Sequence, residues 1–201
     1  MNILFYLKVY GLVGICRLCY FRLRTLTVSS DVRLIRFPIE IRNKRQIHFG
    51  KRLTTGRYCR FEAWPYLKKD KLIILGNNVE IGDFVHIAAI NKVKIGNNVL
   101  IASKVFISDI NHGNYQGNRQ TSPYIHPKDR ELSFSSVIIE DDVWIGESVS
   151  ILPGVIIGKG SIIGANTVIT KSIPPNVIAV GNPATPIKYY NEDMRCWLKF
   201  K

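Results

Sequence analysis

The sequence predicts a mainly β solenoid built from six-residue repeats, and three observations carry that prediction. An aliphatic residue recurs at every sixth position, as in Ile145, Ile151, Ile157, Ile163 and Ile169. It is often followed by glycine, as in Ile145-Gly146, Ile157-Gly158 and Ile163-Gly164. Gly, Asn and Asp gather between these positions, as in Gly82-Asp83 and Gly96-Asn97-Asn98. A period of six fits neither the 3.6 of a helix nor the alternation of an amphipathic strand. It fits one short strand plus one turn, with three such units making a coil.

The first position of each hexad points into a narrow prism and stacks on its equivalent one coil away. Leu75, Ile81 and Ile87 are therefore expected under Ile95, Ile101 and Ile107, with a two-residue slip near Asn91 and Lys92. Ile139, Ile145 and Ile151 are expected on Ile157, Ile163 and Ile169. The fifth position is commonly valine, as at Val79, Val99, Val143 and Val155, and fills the corners. Gly, Asn and Asp at the corners supply the permissive backbone of sharp turns.

Taken in order, residues 1–30 read as a basic, apolar helical segment. Residues 31–74 read as irregular first coils, in which Ile35, Ile41 and Ile47 recur at six and Phe49, Thr55 and Phe61 do so again. Terminal repeats of a solenoid are commonly atypical. Residues 75–186 form the repeat domain, interrupted at 110–136 by a loop rich in Gly, Asn, Ser and Pro. A loop of that length within one domain is usually functional. The tail, 187–201, reads as a short amphipathic helix.

The 201 residues suit a single domain, and an apolar fraction of 46% is ample for its core. Cys16, Cys19, Cys59 and Cys196 make neither a disulfide framework nor a pair of metal knuckles, which fits a reducing cytoplasm. The net charge of +13 is uneven: residues 1–72 hold 16 Lys and Arg against 4 Asp and Glu, and the remainder is nearly neutral. That asymmetry suggests an anionic partner or a solubilising face. The longest uncharged run at the N-terminus, Val9–Cys16, is too short to span a bilayer. Two readings of residues 1–30 stand side by side: a helix lying at an anionic membrane surface, and a cap over the open end of the solenoid. No nucleic-acid module is present, so DNA and RNA are not expected partners.

The segments IGNNVLIASKVFISDINHG at 95–113 and VWIGESVSILPGVIIGKGSIIGANTVITKSIPPNVIAVGNPA at 143–184, with the loop between them, resemble the hexapeptide-repeat acyltransferases. IRFP at 35–38, VHIAAI at 85–90 and SDINHG at 108–113 look most like the bacterial lipopolysaccharide O-antigen O-acetyltransferases. The resemblance implies a left-handed parallel β-helix, a homotrimer, and acetyl-CoA as co-substrate with no metal. It further implies a cytoplasmic enzyme, peripheral at the inner face of the membrane, that acetylates a sugar hydroxyl of an O-antigen or capsule or its lipid-linked precursor.

Acyl transfer to a hydroxyl needs a base for the acceptor proton and donors for the oxyanion. Imidazole, with a pKa of about 6.5, suits the first task. By the resemblance His112 is that base. Asp109 either orients the second ring nitrogen of His112 or is a turn aspartate. His86, and His126 and Glu131 in the loop, are candidates for acceptor binding, and His48 is structural. The resemblance assigns CoA contacts to Trp144, Gly146, Ala165, Thr170, Lys171 and Lys188. Glu147 departs from the pattern, standing where a relative carries a small polar residue.

Other readings keep part of this. The same fold and donor serve a small-molecule acceptor, such as an antibiotic, a free sugar or an amino acid. A non-catalytic assembly subunit leaves the His112 motif without a purpose. A β-helix carbonic anhydrase needs three converging histidines, and the chain has no closely spaced pair.

Overall fold

A computed structural model of the chain describes residues 3–65 and 71–200. Parts of the expected N-terminal helix, first coils and tail (1–2, 66–70 and 201) lie outside the described residues.

The hexads fold as expected. Each aliphatic sits in a two- to four-residue strand, and successive coils pair in parallel. Leu75 pairs with Ile95, Ile81 with Ile101 and Ile87 with Ile107. Beyond the inserted loop, Ile139, Ile145 and Ile151 pair with Ile157, Ile163 and Ile169. Across it, Ile95, Ile101 and Ile107 pair with Ile139, Ile145 and Ile151, so the loop leaves the stack unbroken. Three parallel sheets result, one per face of the prism. The first contains Leu34–Ile35 through Ile162–Ile163, the second Glu40–Arg42 through Val168–Ile169, and the third Ile47–His48 through Ile156–Ile157.

The stacked aliphatics are the core, and Ile87, Ile107, Ile139, Ile145 and Ile151 are fully buried. Each such side chain contributes about 1.5–3 kcal/mol. The corners are held by side-chain ladders. Asn77 N–H donates to Asn97 Oδ1 at 2.9 Å, and Asn97 N–H to Asp141 Oδ1 at 2.7 Å. Asn78, Asn98 and Asp142 take left-handed backbone there (φ 57, 57 and 61). Glycine is required where coils touch: a Cβ on Gly76 would lie 2.4 Å from the Gly96 carbonyl oxygen.

The N-terminal helix, Ile3–Val28, is broken at Gly11 (φ 63, ψ 176). Its C-terminal part caps the first coil. Thr25 is buried, and its hydroxyl accepts the Ile35 amide at 2.8 Å while donating to the Phe21 carbonyl at 2.7 Å. The Phe21 ring meets Phe37, and Arg22 donates to the Val32 carbonyl at 2.7 Å. The rest of the helix leaves Val9, Leu12, Val13 and Leu23 exposed.

The tail corrects the expectation of a helix over 187–201. Thr185–Asn191 and Cys196–Lys199 are strands that extend the first sheet as an antiparallel hairpin. The strand Val177–Val180 would otherwise present an open edge. Aromatics settle the pairing: Tyr190 meets Trp197 edge-on at 5.3 Å, and Tyr189 meets Phe200 at 5.3 Å.

Candidate active site

The irregular spacings all fall on one edge of the prism, between the second and third sheets. Trp64 and Pro65, the slip at 90–92 and the loop after Asp109 leave the stack there, one above another. The slip predicted at Asn91 and Lys92 is real, and Asp109 makes it possible. The Asp109 carboxylate accepts the amides of Ile90 at 3.0 Å, Asn91 at 2.9 Å and Lys92 at 2.5 Å. Burial raises its pKa above the usual carboxylate value, against the opposing pull of those amides. Of its two expected roles, the structure shows the turn aspartate. Both oxygens are committed to backbone, and neither makes a hydrogen bond to the His112 ring.

The inserted loop starts and ends as a small hairpin in which Ile110–His112 pairs with Leu132–Phe134. His112 lies opposite Leu132. Tyr115 donates its hydroxyl to the His112 carbonyl at 2.5 Å, and Arg130 Nη1 donates to Tyr115 Oη at 2.8 Å. A cavity of about 510 Å³ opens beside the hairpin, lined by Trp64, Pro65, Ile90, Ile110, His112 and Leu132. Its walls are contributed by three of the stacked departures from the hexad rule. The His112 side chain is exposed, and its ring has no hydrogen-bond partner among the described residues. Its imidazole thus borders the apolar wall of this cavity.

The other candidates divide. His86 lies outside this cavity, on the outer face of the second sheet. Its Nε2 is 3.0 Å from Glu62 Oε2, and its ring is tilted over Phe106. Glu62 is buried and also ion-pairs with Arg42 at 2.6 Å and Arg60 at 3.5 Å. His126 and Glu131 are exposed in the loop, and the Glu131 carbonyl accepts the Gly113 amide at 3.0 Å. Glu131 lines a second cavity on the far side of the hairpin with Asn114, Thr121 and Ser133.

Thr170 and Lys171 are exposed on the His112 edge. Trp144, Gly146, Ala165 and Lys188 are not. Trp144, Ile162, Ile178 and Lys188 form one outward row across the first sheet. Gly146 is buried at the corner that follows, where a Cβ would lie 2.6 Å from the Ala165 amide. Glu147, beside it, pairs with Lys104 at 3.2 Å. Within one chain, then, the expected CoA contacts occupy two different edges. Among the described residues, no group of three or more His, Cys, Asp or Glu is placed to hold a metal.

Sequence reasoning missed Trp64, Leu132, Tyr115 and Arg130. Trp64 had a signal, being a large aromatic just past Phe61 in the second coil. Leu132 had none, because its place depends on the hairpin closing.

Residues 136–171 match the family model for bacterial transferase hexapeptide repeats. The chain is 45% identical, over 96% of each sequence, to the putative lipopolysaccharide biosynthesis O-acetyl transferase WbbJ of Escherichia coli. It is 34% identical to the galactoside O-acetyltransferase of Escherichia coli, over 77% of this chain and 72% of that one. The fold matches AntD, an N-acyltransferase of Bacillus cereus, with a TM-score of 0.67 at 23% identity over 82% of this chain and 84% of that one. The left-handed β-helix is thus the fold, and the chain belongs to the hexapeptide-repeat acetyltransferases.

Proposed function

We propose that the protein transfers acetyl from acetyl-CoA to a sugar hydroxyl of a bacterial surface polysaccharide or its lipid-linked precursor, with His112 as general base. The observation that carries this reading is the unpartnered His112 imidazole on the wall of the apolar cavity. Similarity along nearly the whole chain to a putative lipopolysaccharide O-acetyl transferase supports the acceptor class.

In this reading the acceptor hydroxyl lies in the cavity and His112 takes its proton as the oxygen attacks the thioester carbon. The carbon–sulfur bond then breaks, and the proton passes to the departing thiolate. Apolar walls from Trp64, Ile90 and Leu132 exclude water and keep hydrolysis from competing. The row from Trp144 to Lys188 covers three strand spacings, about 14 Å. It offers an aromatic and two aliphatics to the pantetheine arm and a cation to the phosphates. Lys199 lies next to Lys188 in the same row.

Because the two halves of the CoA path lie on separate edges, a complete site forms when the His112 edge of one copy faces the Trp144 edge of another. A homotrimer satisfies this with three equivalent sites. Residues 1–30 contain no acidic side chain, carry Lys8, Arg17, Arg22 and Arg24, and expose Leu12, Val13 and Leu23. That composition suits contact with an anionic membrane, where a lipid-linked acceptor resides. Among the described residues no helix is long and apolar enough to cross a bilayer.

The test is CoA-thiol release from acetyl-CoA with lipid-linked or free oligosaccharides, alongside acetyl-CoA calorimetry and solution mass. Replacing His112 by Ala is expected to lower turnover by about 10²–10⁴ while acetyl-CoA binding persists. Near-normal turnover in a folded His112→Ala protein overturns the assignment. Flotation with anionic liposomes checks the membrane contact, and recovery of the whole chain in the unbound fraction removes it.

A further inference from the structure

The edge between the first and second sheets carries an anomaly. One residue per coil there takes left-handed backbone: Tyr58, Phe84, Lys104, Ser148 and Asn166, with φ from 57 to 60. Asn at this position is ordinary, whereas a bulky aromatic is an outlier. Two aromatics occur in succession, and neither is compensated by burial, since Tyr58 is 54% exposed and Phe84 53%. Their rings stack nearly parallel, with centroids 4.9 Å apart at 10°. Phe84 therefore backs Tyr58 from the next coil and fixes its plane.

Beside Tyr58 lies a cavity of about 280 Å³ between the first two coils, lined by Pro38, Ile39, Glu40, Tyr58, Cys59 and Arg60. Its two charged groups are held in place and remain about half exposed. Glu40 accepts from Arg42 Nε at 2.7 Å, and Arg60 Nη2 lies 3.1 Å from His86 Nε2. Burial pushes the Cys59 thiol up to about 11, so it is inert here.

A flat aromatic with a carboxylate acceptor and a guanidinium donor at its margin is suited to one ligand class above others. The ring matches the C–H face of a pyranose, and the two charged groups match its hydroxyls as donors and acceptors. We infer that Tyr58, backed by Phe84, together with Glu40 and Arg60 forms a subsite for a neutral sugar of the acceptor chain other than the one acetylated. The subsite lies on the same edge as Gly146, Glu147 and Ala165, toward the N-terminal coils. An acceptor chain lying along that edge runs from the acetyl-CoA end of the solenoid toward residues 1–30. The inference rests on the proposed sugar acceptor.

The experiment titrates neutral pyranose oligosaccharides, from one to six residues, into the full chain by saturation-transfer NMR. Tyr58→Asn is the informative variant, because asparagine suits the left-handed backbone and occupies the same corner at position 166. Loss of one stacking surface is expected to weaken binding of the longer oligosaccharides on the order of tenfold. Tyr58→Phe retains it. In turnover, KM for a long acceptor rises by the same factor while kcat and KM for a single sugar stay unchanged. Absence of oligosaccharide binding by the unmodified chain, or equal binding by Tyr58→Asn, overturns the subsite. Dissociation of the assembly by Tyr58→Asn in light scattering also overturns it, and makes the rings a contact between copies. Failure of the acetyl-transfer reading looks different: no turnover with any sugar, while binding still depends on Tyr58.

Discussion

Asp109 accepts the backbone amide of Asn91 at 2.9 Å from one coil further along the solenoid. With the amides of Ile90 and Lys92 it stabilises the two-residue slip that displaces Ile90 toward the His112 cavity. The residue is therefore a positioning group for the cavity wall. Replacing Asp109 by Ala leaves three amides without their acceptor and is expected to lower stability by about 1–3 kcal/mol.

The same carboxyl makes stability depend on pH. Burial holds its folded pKa above that of the unfolded chain, so the folded state binds the proton more tightly. This contribution is fully present below the unfolded pKa of about 3.9 and is lost as pH rises through the folded value. Thermal unfolding across that window is expected to show a shallower decline in Asp109→Asn than in the unmodified chain.

Thr55 stands in a stack otherwise occupied by aliphatics, between Ile35 and Ile81. It is fully buried, and its hydroxyl has no hydrogen-bond partner among the described residues. Thr55→Val keeps the shape and removes the orphaned hydroxyl. Stability is expected to rise by about 1 kcal/mol, read as a higher denaturant midpoint at unchanged slope.

Tyr115 ties the loop to the backbone of His112 and is itself held by Arg130. If His112 acts as proposed, Tyr115→Phe is expected to lower kcat about tenfold with acetyl-CoA affinity unchanged, because a small displacement of the imidazole misaligns proton transfer. A change in KM for acetyl-CoA with kcat intact would assign Tyr115 to binding instead.

Lys188 ends the outward row that begins at Trp144. Its replacement by Ala is expected to weaken acetyl-CoA binding about tenfold, the scale of one charge-assisted contact. Calorimetry decides it, and an unchanged affinity removes this row from the CoA path.

The repeat was legible residue by residue. Hexad phase alone placed Ile107 on Ile87 and Ile151 on Ile169, because the stacking is local and periodic and the side chains have one buried direction; that Ile107 meets Ile151 across the inserted loop is seen only in the fold. The slip at Asn91 and Lys92 was legible for the same reason, since the phase visibly jumps there. Its cause was not, because an aspartate looks alike whether it faces a histidine or three amides. The tail reads as a helix because Ile187, Tyr190, Met194 and Trp197 are spaced as on one face of an amphipathic helix. An open sheet edge at Val177–Val180 decided for strands. What the sequence by itself determined is the solenoid, its register on either side of the inserted loop and the position of His112 at the end of a coil, all consequences of a short repeat. Tertiary structure alone decided that Trp64, Ile90 and Leu132 wall one cavity with His112, that Asp109 and His86 stay apart from it, and that the CoA candidates fall on two edges. Those relationships join residues tens of positions apart, and the lengths of the excursions that bring them together follow no repeat.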